Sequence, residues 1–62
     1  MSNATKVSVE RQGSSAYVEV CFSNTSFETF FVPHVLKDTN DVLTYLSNDH
    51  GLYASESQVL FV

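Results

Sequence analysis

The sequence predicts a small all-β domain, an antiparallel sandwich-like or half-sandwich fold of five or six strands. Three observations predict it. Residues 5–11 and residues 16–22 each alternate apolar and polar side chains with the period of two that marks a half-buried strand. Between them lies Gln12-Gly13-Ser14-Ser15, a polar break whose glycine can take positive φ, as a hairpin loop requires. The 62-residue chain is 44% apolar and only 16% charged, which leaves room for one domain and is too apolar for a disordered tail.

The elements follow in order. In residues 5–11, Val7 and Val9 face the core while Lys6, Ser8 and Glu10 face away. In residues 16–22, Ala16, Val18, Val20 and Phe22 form the core face, with Tyr17, Glu19 and Cys21 opposite. Ser23-Asn24-Thr25-Ser26 is a second turn cluster. Phe27–Val32 is aromatic and β-branched, and Pro33 ends it or confines it to a sheet edge. Phe27 and Phe31 share one parity, Phe30 and Val32 the other. A strand apolar on both faces is sandwiched, lies at an interface or forms a surface patch, and a soluble protein rarely leaves one this large uncovered. Phe27 and Phe31 suffice to fill the core side, so Phe30 and Val32 are the expected interface pair, flanked on the outer face by Tyr17 and Cys21.

Residues 37–40 are polar and loop-like. Residues 41–49 support two readings. As a helix, Asn40 is the N-cap, Val42, Leu43 and Leu46 form one stripe, and Gly51 stands just past the end. As a strand, residues 42–47 run into a turn at Asn48-Asp49-His50-Gly51 and residues 52–54 return. Val42, Thr44, Tyr45 and the turn quartet favour the strand. After Ser55-Glu56-Ser57 comes a last run in which Val59, Leu60, Phe61 and Val62 are consecutive, apolar and of high β propensity. An open apolar edge of this kind templates pairing with another chain, so these four residues join Phe30 and Val32 as the expected interface. Residues 1–4 are set aside as a disordered N-terminus or cloning remnant, leaving 5–62 as one small β domain.

Size argues for company. A domain this short buries only about 60% of the surface of its unfolded chain, and such chains commonly add a disulfide, a metal or a second subunit. Cys21 is the one cysteine, so an internal disulfide is excluded. Cys21, His34 and His50 lack zinc-ligand spacing, and Asp38, Asp41 and Asp49 lack the spacing of a calcium loop. No cofactor is expected, and a homo-oligomer or a protein partner is. Net charge is −4, and Lys6, Arg11 and Lys37 are scattered, which argues against nucleic acid. No apolar run nears the ~20 residues of a membrane span, so no membrane association is expected. A lone cysteine and the absence of an apolar leader segment fit a reducing cytoplasm without fixing the location.

The order of alternating strand, hairpin, alternating strand, Ser-Asn-Thr-Ser break and aromatic segment ending in proline resembles the first half of an immunoglobulin-like β-sandwich. It is similar to the small sandwich modules that accompany some secreted peptidases or act as proteinase inhibitors. The residues that carry the likeness are Glu19-Val20-Cys21-Phe22-Ser23-Asn24-Thr25-Ser26 and Phe31-Val32-Pro33, within residues 5–54. Such sandwiches have about 100 residues and seven strands, so the resemblance implies a minimal domain or one completed by a second copy.

The sharpest enzymatic reading is a Cys–His pair, with Cys21 activated by His34 or His50 in a small hydrolase or hydrolase accessory domain. Against it, no glycine loop supplies an oxyanion hole and no carboxylate stands ready to orient the base. A free cysteine on a strand is ordinarily a small packed hydrophobe. The sequence is therefore read as a non-catalytic protein-interaction module that binds through a sheet edge or an aromatic face and self-associates. A structural fragment of a larger sandwich is the remaining alternative.

Overall fold

The computed structural model describes residues 2–62, with side chains from Ala4 onward. Five strands form one mixed sheet: β1 (Ser2–Gln12), β2 (Ser15–Phe22), β3 (Phe27–Val32), β4 (Leu52–Tyr53) and β5 (Val59–Phe61). Between β3 and β4 lie a short helix, α1 (Thr39–Tyr45), and a wider π-helical turn, Leu46–His50. A single 3₁₀ turn, Glu56–Gln58, precedes β5. The fold is a small β domain, with one helical layer laid against one face of its sheet.

The two alternating segments pair as the sequence predicts. Val7 lies opposite Val20 and Val9 opposite Val18 in an antiparallel hairpin closed at Gly13, whose φ of 64° is one that side chains disfavour. β1 begins at Ser2, upstream of the alternating stretch, and Ala4 belongs to the core; Met1 lies outside the described residues. β3 adds antiparallel to the far side of β2. On the other flank of β1 sit two short parallel partners: β4 against Ser2 and Asn3, and β5 against Val7, Ser8 and Val9. They act as two pieces of one interrupted strand. The sheet therefore mixes parallel and antiparallel pairs, where the sequence suggests antiparallel pairing throughout.

β3 and β4 both run in the direction of β1. The connection between them must cross the sheet, and it does so as helix. Here the strand reading of residues 41–49 is corrected. Asp38 caps α1 by accepting from the Asp41 amide at 3.0 Å, so the N-cap is Asp38 and not Asn40. Lys37 donates its amide to Asp41 Oδ2 at 2.9 Å, which anchors the entry. Val42 and Leu46, one turn apart, are fully buried. They close over Val7, Val9, Ala16, Val18, Val20 and Val32 on the inner face, with Leu36 and Leu52 at the margins. Weak local preference for a strand loses to the need to cover six bare sheet positions. Gly51, at φ 63°, ends the π turn in the left-handed conformation.

The accessible surface is 3947 Å², against about 4,000 Å² for a compact monomer of this mass. The chain is thus as collapsed as its size allows, and apolar groups left outside are there by topology. No helix among the described residues is long and apolar enough to cross a membrane.

Candidate interaction surface

The helical layer covers one face of the sheet and leaves the other open. Pairing registers set out that outer face in three rows. One holds Lys6, Cys21 and Phe27; the middle one holds Leu60, Ser8, Glu19 and Thr29; the third holds Glu10, Tyr17 and Phe31. Apolar side chains stand out on it: Phe27 is 63% exposed, Phe31 55%, Leu60 54% and Tyr17 41%. The Tyr17 and Phe31 rings meet at 5.4 Å between centroids, tilted by 60°. A shallow depression of about 320 Å³ on this face is lined by Ser8, Glu10, Tyr17, Glu19, Thr29 and Val62. It has aromatic and aliphatic walls and a pair of exposed carboxylates.

The expected interface residues divide between the two faces. Val32 is fully buried, and Phe30 is half-buried against the core. Val59 and Phe61 pack half-buried on the inner side, where the Arg11 guanidinium lies 4.7 Å from the Phe61 ring centre. Only Leu60 and Val62 are exposed. The parity expected for β3 is reversed: Phe30 and Val32 face the core, while Phe27 and Phe31 face solvent. The reason is the connection between β2 and β3. Cys21 pairs with Phe27, so an odd number of residues intervenes and even-numbered residues of both strands share a face. Val18 therefore fixes Phe30 on the inner side, and Ala16 fixes Val32. Counting parity across that loop is the signal that finds Phe27 and Phe31.

A second cluster gathers at the helical side. The His50 ring stacks on Phe30 at 3.8 Å between centroids and 18° from parallel. Its Nε2 is hydrogen-bonded to the Tyr45 hydroxyl at 2.8 Å. His34 meets Tyr45 edge-on at 6.2 Å. Burial first, and then the Asp49 carboxylate, push the Tyr45 phenol above its ordinary pKa. The phenol therefore stays protonated and holds the imidazole in place. Cys21 takes no part: it lies half-buried in the outer-face row, with Phe27 beside it. The sheet stands between Cys21 and His50, so this nucleophile and base are not brought together.

Comparison with family models, with curated proteins and with solved structures returns no match. The surface itself is the guide to function.

Proposed function

We propose that this chain is a non-catalytic protein-interaction module that pairs with a second copy through the open edge of β3. The observation that carries the reading is the edge itself. β3 has six residues, a single charged one (Glu28), no lysine or internal proline, and two phenylalanines exposed beside its free side. β5 also has a free edge among the described residues but spans only three residues. Antiparallel pairing that keeps both outer faces on one side requires opposed residues of equal parity. Centred on Thr29, it sets Phe27 against the partner's Phe31 twice over, the kind of aromatic cross-strand pair that stabilises sheets. In this reading the sheet continues across two copies, and the outer face of each stays open.

The four rings would contribute roughly 480 Å² of exposed area at ~200 Å² per aromatic residue. That is small beside stable dimer interfaces, so pairing belongs to the weak, concentration-dependent class. Light scattering from ~10 µM to ~1 mM should show the mass rise from one chain towards two. The Phe27→Lys variant should remain at one chain throughout. A wild-type mass of one chain at every concentration refutes the pairing.

A further inference from the structure

We infer that the open sheet face docks an arginine-bearing extended segment of a partner protein, with the guanidinium seated beside Tyr17 between Glu10 and Glu19. The inference rests on the interaction-module reading and names the chemistry of the partner. Glu10 lies directly opposite Tyr17, and Glu19 is paired with Ser8, two positions along the same strand from Glu10. The two carboxylates are thus diagonal neighbours about 7–8 Å apart at the backbone, a spacing that one guanidinium fork can bridge. Both are exposed, and both line the depression of about 320 Å³ with Tyr17 and Val62. Lys6 lies four residues from Glu10 along β1, about 13 Å away in an extended strand, and diagonal to Glu19 through its partner Cys21, so the lysine flanks the site on the side away from Glu10.

Charge decides among the occupants. A second copy laid face to face about the depression would set Glu10 and Glu19 near their own images, with only one Lys6 per copy on that face against two carboxylates. Nucleic acid and anionic lipid surfaces meet the same carboxylates and are repelled. An arginine satisfies both demands of the site, since its plane stacks on an aromatic ring while its edge pairs with carboxylate. Apolar residues flanking it in a partner strand would cover Phe31, at the β3 end of the Tyr17 row, and Leu60, at the β5 end of the Ser8 row.

The test is a titration of the full chain with a capped heptapeptide alternating valine and arginine, followed by backbone amide shifts. Saturable shifts should centre on Ser8, Glu10, Tyr17, Glu19 and Thr29. Glu10→Gln and Glu19→Gln should each weaken binding about tenfold, and raising salt from about 50 to about 300 mM should weaken it several-fold. Circular dichroism checks that the variants stay folded. Absent binding, equal binding of a valine–glutamate peptide, shifts on the helical side, or an outer-face dimer formed by the Glu19→Gln variant would each overturn the inference. A chain that is monomeric at every concentration yet binds the arginine peptide refutes β3 pairing alone. A dimer that ignores the peptide refutes the present inference alone.

Discussion

The imidazole of His50 lies flat on the ring of Phe30, their centroids 3.8 Å apart, and this contact ties the last helical turn to the edge strand. It depends on the π-helical turn Leu46–His50, which places Leu46 in the core and His50 over β3. The Tyr45 hydroxyl completes the arrangement from one side. Phe30 is thereby covered on the inner face, and the free edge of β3 gains a rigid backing without being paired.

Removing that backing should loosen the edge. His50→Ala deletes a stacked pair and a hydrogen bond, together about 1–2 kcal/mol. For a domain of this size that corresponds to a fall in Tm of roughly 5–15 °C. His50→Phe keeps the stack and loses the hydrogen bond, so it should recover about half. A thermal melt of the alanine variant that overlays the wild type would remove the contact from the account.

Tyr45 makes stability depend on alkaline pH. Burial, with Asp49 adding to it, raises the folded phenol above its ordinary value of about 10. The folded protein therefore keeps a proton that the unfolded chain has released. The stabilisation is complete below pH ~10 and is lost as pH climbs through the folded value. Urea midpoints measured upward from pH ~8 should fall less steeply for Tyr45→Phe than for the wild type, and Asp49→Asn should lie between them. Parallel slopes for all three would contradict the assignment.

Leu46 is the most consequential single contact of the helical layer, being fully buried against the sheet. Leu46→Ala should cost about 2–5 kcal/mol in a chain whose whole stability is about 3–9 kcal/mol. The expected result is a substantially unfolded protein by circular dichroism at 25 °C, rescued in part by Leu46→Met. A fully folded alanine variant with an unchanged denaturant midpoint would mean that the layer is not needed.

Two backbone positions with positive φ should respond in opposite directions. Thr25 holds φ 68° in the turn between β2 and β3, an uncommon conformation for a β-branched residue. Thr25→Gly should stabilise by about 0.5–1 kcal/mol once glycine's greater unfolded freedom is subtracted. Gly51 at φ 63° has no atom within 4 Å of where a Cβ would stand, so only backbone strain opposes a side chain there. Gly51→Ala should destabilise by about 1 kcal/mol and Gly51→Asn by less. Chemical denaturation of the three variants tests both signs.

The β1–β2 hairpin was legible residue by residue. Val7, Val9, Val18 and Val20 alternate with polar neighbours, and one buried face leaves only one register that hides them all. The orientation of β3 was not legible from its own residues, because Phe27, Phe30, Phe31 and Val32 are apolar at both parities. Only pairing with β2 could choose between its faces, and it turned Phe27 and Phe31 outward to make the surface on which the proposed binding rests. Residues 41–49 leaned locally to a strand through Val42, Thr44, Tyr45 and the turn at 48–51, while Val42, Leu43 and Leu46 also suited a helix. The fold decided for helix, because a connection from β3 to a strand running the same way must cross the sheet, and only there could Val42 and Leu46 bury the inner valines. Sequence alone determined which residues of β1 and β2 had to leave water. Tertiary structure decided what would cover them and which aromatic rings would be left outside, because both choices depend on partners distant in the chain.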